Sequence, residues 1–395
     1  MRSMDLNALL RRAVDLGASD VHLKLGRPPL VRCDGQIAEL PGPALSETDL
    51  DAALRTVTAL APDRYEQFRE TGDLDLAYST DGLPRFRVNV FRQRGAISLA
   101  LRIIPDVVPT LDELRLPPGV ESLTNQHRGL ILVTGATGSG KTTTLAAMVD
   151  RINRTRRSHI VTIEDPIEIL HQDRLSIVNQ REVGLDTASF GQALRRALRQ
   201  DPDTILIGEL RDAETAQTAL QAAESGHLVL STMHTIDAAE TVGRMIEFFP
   251  EAKQQQIRSI MAGVLCGVVS QRLLPRAGGG RVAAVEVMVM NARIADLVRE
   301  GRADEITDAI GDGEFFHMQT LQRALIELVA SGDVELEIAA NAAANRHDFL
   351  VELERSMKRR AAPPAAPESP PQLLPPPARD GDREPALRIA APPAG

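Results

Sequence analysis

Tryptophan is absent from this 395-residue chain, tyrosine occurs twice and aromatic residues amount to 3%. Stacking platforms for single-stranded nucleic acid are built from aromatic side chains, so that class of function is not expected. The formal net charge of −9 points the same way, because binding a phosphodiester backbone needs a cationic surface. Cysteine is nearly missing as well. Cys33 and Cys266 stand in unrelated contexts and make neither a disulfide framework nor a four-cysteine zinc site. No apolar run approaches the roughly 20 residues that span a bilayer. The stretch Met1–Asn7 has no apolar signal core, which predicts a cytoplasmic protein. The remaining composition, 43% hydrophobic and 25% charged, is ordinary for a soluble protein, and the length suffices for two or three domains.

What is present is organised around one stretch, Gly135, Ala136, Thr137, Gly138, Ser139, Gly140, Lys141, Thr142. An apolar run, Leu130–Val133, precedes it, and a helix-like segment from Thr143 to Ile152 follows. Strand, glycine-rich loop and helix in this order form the context in which G-x-x-x-x-G-K-[ST] cradles phosphate. Backbone N–H groups aimed inward and the positive end of the helix, up to Thr143, make an anion site. Lys141 is expected on the β- and γ-phosphates and Thr142 on Mg²⁺, so the chain is read as binding a nucleoside triphosphate.

Residues 1–104 read as a small α+β domain. A helix over Asp5–Leu16 is followed by an alternating strand, Ser19–Leu25, and by a hairpin turning at Asp34-Gly35. Ser46–Gln67 reads as a helix capped by Ser46, and strands follow at Leu74–Ser79, Arg85–Gln93 and Ala96–Ile104. The proline-bearing stretch 105–118 is the expected linker. From residue 119 short apolar strands alternate with helices, at Leu130–Val133, His159–Ile163, Thr204–Ile207 and Leu228–Ser231. Strands apolar on both faces belong to parallel sheets covered by helices, so 119–350 is expected to be an α/β domain. Its part from about 251 reads as mostly helical, with helices at Lys253–Leu273, Ala292–Glu300 and Met318–Val329 and a strand at Arg281–Met290. Residues 351–395 read as a Pro/Ala-rich tail, mostly disordered, since 11 of the 25 prolines lie between Ala361 and Gly395.

Hydrolysis of a phosphoanhydride needs a metal, a carboxylate near it, a group that orients water and a cation for the developing charge. Thr204–Glu209 has the form of a strand ending in an acid beside the loop, and Glu209 is expected near Mg²⁺, directly or through water. A second strand ends in Glu164-Asp165-Pro166-Ile167-Glu168, where Glu164 and Glu168 are both candidates to position or deprotonate water. His227 and His234 bracket a third strand. His227 is the favoured candidate for a water or γ-phosphate contact, with His234 behind it. Arg85, Arg87, Arg92, Arg94 and Arg102 crowd the last strands of the first domain and offer cations for transferred charge.

Together these segments closely resemble the type IV pilus retraction ATPases of the secretion ATPase superfamily. The resemblance covers residues about 5–350. It rests on Gly17–Leu23, Arg85–Asn89, the phosphate loop, Thr162–Glu168, Gly208–Asp212, Glu224–Val229, His234-Thr235, Gly278–Ala284 and Met318–Leu321. It implies a PAS-like first domain followed by a RecA-like ATPase domain, ATP and Mg²⁺ bound between them, and a homohexameric ring. It further implies that Glu209 is the acid of the second nucleotide motif and that Glu168 or Glu164 is the catalytic carboxylate. His227 matches the family histidine, and Arg87 and Arg102 match arginines that approach the nucleotide; Arg244 and His234 are weaker matches. The implied activity is a motor that drives pilus retraction and twitching motility at the cytoplasmic face of the inner membrane. Its expected partners are an inner-membrane platform protein and a paralogous motor ATPase, and these alone tie it to the membrane. The segment Ala292–Glu300 keeps the family's C-terminal pattern only in part, and the proline-rich tail is extra. An accessory, extension or type II secretion ATPase and a non-hydrolysing nucleotide-binding partner therefore stand as alternatives.

Overall fold

The computed structural model describes residues 4–33, 35–104 and 107–361. Thirteen strands are found there. β1 to β6 are Asp20–Lys24, Leu30–Cys33, Gln36–Glu39, Asp73–Tyr78, Phe86–Gln93 and Ala96–Ile103. β7 to β13 are Gly129–Thr134, His159–Glu164, Ile177–Glu182, Thr204–Ile207, Leu228–Met233, Leu265–Pro275 and Arg281–Val289.

β1–β6 form one antiparallel sheet in the order β3-β2-β1-β6-β5-β4. Strand alternation gives it one apolar face: Phe86, Val88 and Val90 of β5 and Leu99 and Leu101 of β6 point inward. They meet Leu6, Leu9 and Leu10 of the helix Leu6–Asp15 and Leu50 and Leu54 of the helix Glu47–Val57 in one core. Ser46 caps the latter through a reciprocal pair with Asp49. The expected single helix over Ser46–Gln67 is two, Glu47–Val57 and Pro62–Thr71. Pro62 lacks the N–H that a continuous helix would need and starts the second helix instead. Gly35 adopts a left-handed conformation between β2 and β3, and Asp34, the other residue expected at that turn, lies outside the described residues.

The second sheet has the order β13-β12-β7-β11-β10-β8-β9. Five neighbouring pairs are parallel and only the β12–β13 pair is antiparallel. Every residue of β7 and β11 is buried, because helices cover both faces. The region after Pro250 departs from expectation. The helix stops at Val264, and Leu265–Pro275 is the strand β12, between β7 and β13. Gly267 permits this insertion, since a Cβ there would lie 2.5 Å from the Met288 carbonyl and 2.6 Å from Leu123. Pairing partners distant in sequence, not local propensity, decided the structure of this segment. The end of the chain differs too. Residues 351–361, assigned to the tail on composition, belong to a helix, Arg346–Ala361, whose Phe349 and Leu353 are buried against the helix Leu321–Ala330 and β12. The tail beyond lies outside the described residues.

Candidate functional site

β7, β8, β10 and β11 run parallel, so their carboxyl ends meet at one edge of the sheet. The loop that leaves β7 there, residues 135–140, leads directly into the helix Lys141–Thr155. Gly135 has φ 139°, and a Cβ on it would sit 2.4 Å from the Gln271 carbonyl. Glycine is therefore required where the loop crosses β12. Lys141 is buried, and its Nζ donates to the carbonyls of Gly135 (2.7 Å) and Ala136 (3.1 Å). Burial lowers its pKa, and the charges of Glu209 and Glu168 oppose that shift.

A cavity of about 550 Å³ opens over this helix end. Thr137, Gly138, Gly140, Lys141, Thr142 and Thr143 line one side. Glu164, Glu168, Glu209, His234 and Arg102 line the others. A neighbouring cavity of about 380 Å³ lies against Ser139, Thr143 and Thr144 and is walled by Leu114 and Leu116 from the stretch between the sheets and by Arg276 and Arg281 of the β12–β13 hairpin. Of the nine expected loop residues, Gly135 and Ala136 sit beneath the first cavity, where they hold Lys141, and Ser139 faces the second.

The two carboxylates at the end of β8 occupy different environments. Glu164 is buried and accepts from the Thr162 hydroxyl (2.6 Å) and from Gln180 Nε2 (3.0 Å). Burial pushes its pKa up, and those hydrogen bonds work against the shift. Glu168 is exposed to the cavity. Glu209, after β10, accepts from Arg211 Nε (2.7 Å), and its other oxygen lies 3.1 Å from His234 Nε2.

Strand direction and pairing set two of the expected residues, His227 and Arg87, apart from this cavity. His227, favoured for a phosphate or water contact, stands before β11, at the amino edge of the sheet. Its carbonyl accepts from Gly129 N–H, at the start of β7, and its ring Nδ1 meets the Ser225 hydroxyl (2.9 Å) and the Ala222 carbonyl (3.0 Å). The six-residue register from Leu228↔Gly129 to Met233↔Thr134 separates it from the loop by about 20 Å, taking roughly 3.3 Å per residue. His234, at the other end of the same strand, is the histidine in the cavity. Arg87 and Arg102 are register partners across β5 and β6, but only Arg102 lines the cavity, where Nε donates to Asp20 Oδ1 (2.8 Å). Arg87 is exposed on the same sheet and is not part of the lining.

Several site residues escaped the sequence reading. Gln180, which holds Glu164, comes from β9, a strand with weak alternation that was not anticipated. Arg281 reaches the cavity from the start of β13, expected as a strand, whose partner β12 replaces the end of an expected helix. Arg211 had a local signal, two residues after Glu209. A hydroxyl and carboxylates are the hard oxygen donors that Mg²⁺ takes. Among the described residues no group of three or more His, Cys, Asp or Glu side chains is arranged to hold a metal.

Comparison with known proteins identifies relatives. A family model described as "Type II/IV secretion system protein" matches residues 3–349. The chain is 43% identical over 346 residues to the type IV pilus retraction ATPase PilT of Pseudomonas aeruginosa, covering 88% of this chain and 100% of that one. It is 40% identical over 319 residues to a twitching motility protein of Neisseria gonorrhoeae, covering 80% of this chain and 84% of that one. The crystal structure of the pilus retraction motor PilT with bound ADP superposes with a TM-score of 0.82 at 44% identity, covering 89% of this chain and 100% of that one.

Proposed function

This chain belongs to the type II/IV secretion system protein family, and we propose that within it the chain is a motor ATPase that hydrolyses ATP to ADP and phosphate and drives type IV pilus retraction. The observation that carries this reading is one cavity shared by the phosphate loop, Lys141, Glu168, Glu209, His234 and Arg102.

In this reading the loop N–H groups and the end of the helix Lys141–Thr155 hold the β-phosphate. Lys141 exchanges the carbonyls of Gly135 and Ala136 for phosphate oxygens. Glu168 orients the attacking water. Glu164 is the less accessible candidate, because it is buried and its Oε1 already accepts from both Thr162 and Gln180. His234 holds Glu209 in place, and Arg102 supplies positive charge from the other sheet. Thr142 and, through water, Glu209 would hold Mg²⁺, which when bound neutralises charge on the β- and γ-phosphates. The neighbouring cavity, with Leu114 and Leu116 as apolar walls, would take the base and ribose.

The architecture supports a division into a PAS-like domain over 1–104, a linker at 105–118 and a RecA-like domain over 119–350. Binding of ATP closes the two domains on the nucleotide and hydrolysis reopens them. The working form is a homohexamer at the cytoplasmic face of the inner membrane, acting through a platform protein. No helix among the described residues is long and apolar enough to cross a membrane itself.

Steady-state ATPase activity of the purified protein, measured with its mass beside Lys141→Ala and Glu209→Gln, tests the reading. Turnover in the wild type at hexamer mass, with kcat down on the order of 100-fold or more in both variants, is expected. Turnover retained in Lys141→Ala would refute the phosphate assignment.

A further inference from the structure

The roles proposed above leave out the side chain that touches both sheets and the acidic segment Asp165–Glu168 at once. Glu182 ends β9 with its side chain only 5% exposed. One of its oxygens, Oε2, forms an ion pair with Arg85, the residue that leads into β5, and also accepts from the backbone N–H of Ile167 (3.3 Å). The Glu182 N–H is itself held by Asp186 Oδ2 (2.8 Å), and Glu182 is the register partner of Glu164. A single carboxylate therefore joins the first sheet to the peptide between Pro166 and Glu168.

We infer that Glu182 is a positioning residue that converts the docking of Arg85 into the placement of the Asp165–Glu168 segment. A buried carboxylate that loses its cation is strongly destabilised and turns to water. Withdrawal of Arg85 frees the Ile167 N–H, and the segment carrying Glu168 loses its anchor. Separation of the two sheets then disarms the carboxylate end of the site while leaving the phosphate loop intact. This inference rests on the ATPase reading for its consequence in turnover. The structure supplies its own control: Arg64 donates to the Gly184 carbonyl across the same interface and makes no hydrogen bond to the acidic segment.

The test compares the full chain with Arg85→Ala, Arg85→Lys, Glu182→Gln and Arg64→Ala, by amide hydrogen exchange over 164–169 and by ATPase kinetics. Arg85→Ala is expected to speed exchange at Ile167 about tenfold and to lower kcat about tenfold, with KM for ATP and affinity for ADP within about twofold. Arg85→Lys restores part of both, Glu182→Gln moves both in the direction of Arg85→Ala, and Arg64→Ala leaves both within about twofold. Unchanged exchange at Ile167 in Arg85→Ala overturns the inference. So does an equal acceleration in Arg64→Ala, which would mean general loosening of the interface. If Arg85→Ala does not fold, Glu182→Gln beside Arg64→Ala decides by the same readout. A wild type without turnover refutes the ATPase reading alone, and the exchange comparison still stands.

Discussion

The two sheets handle side-chain polarity in opposite ways. β7 and β11 are buried along all six of their residues, whereas β5 alternates between buried Phe86, Val88 and Val90 and outward residues such as Arg87. A parallel strand covered on both faces has no room for charge along its length, so its polar chemistry is displaced to the carboxyl end. Lys141, Glu164, Glu209 and His234 all follow or end such strands. An antiparallel sheet covered on one face keeps the other face for charge, and Arg102 reaches the cavity from there. The acids that line the cavity thus come from strand ends of one sheet, and the Arg102 cation comes from the open face of the other.

The largest effect expected from this contrast is on stability. Ile131→Ala, in the middle of β7 and 0% exposed, should cost about 2–5 kcal/mol in denaturant unfolding. Ile37→Ala, on the edge strand β3 and 53% exposed, should stay within about 0.5 kcal/mol. Equal costs would break the contrast.

A second effect comes from the hairpin that extends the parallel sheet. Glu286 of β13 is buried, and its carboxylate accepts from the Ala238 N–H (2.9 Å). Burial pushes its pKa up from 4.5 to about 7. The folded chain then binds more protons than the unfolded chain between these values. Stability falls as pH rises through that window, by up to about 1.4 kcal/mol per pH unit from this group, and levels off above it. Glu286→Gln should flatten the curve between pH 5 and pH 7, as read by unfolding at several pH values; an unaltered slope would remove Glu286 as its source.

The smallest effect distinguishes the two ends of one strand. His234→Ala should lower kcat about tenfold, as loss of a group holding a site carboxylate does, while His227→Ala leaves kcat within about twofold. The reverse result would return His227 to the site.

Local sequence carried much of the fold and of the candidate site. The spacing from Gly135 to Thr142 between an apolar run and a helix marked the loop, and short, almost purely apolar runs marked β7, β8, β10 and β11, because these signals rest on neighbours along the chain. β9 and β12 were missed. Ile177–Glu182 is a sheet edge with mixed exposure, and Leu265–Pro275 continues a helix-like pattern until it pairs with β7 and β13.

By itself, then, the sequence determined that a glycine-rich loop joins an apolar strand to a helix, that acids follow short apolar strands, and that an arginine-bearing sheet precedes them. Strand direction and pairing, which only the tertiary structure decided, placed His234 at the site and His227 at the far edge. They also brought Gln180 to Glu164 and Arg85 to Glu182 across 97 residues. Motif spacing is written in covalent neighbours, whereas the ends of strands and the partners of buried charges are set by contacts between segments far apart in the chain.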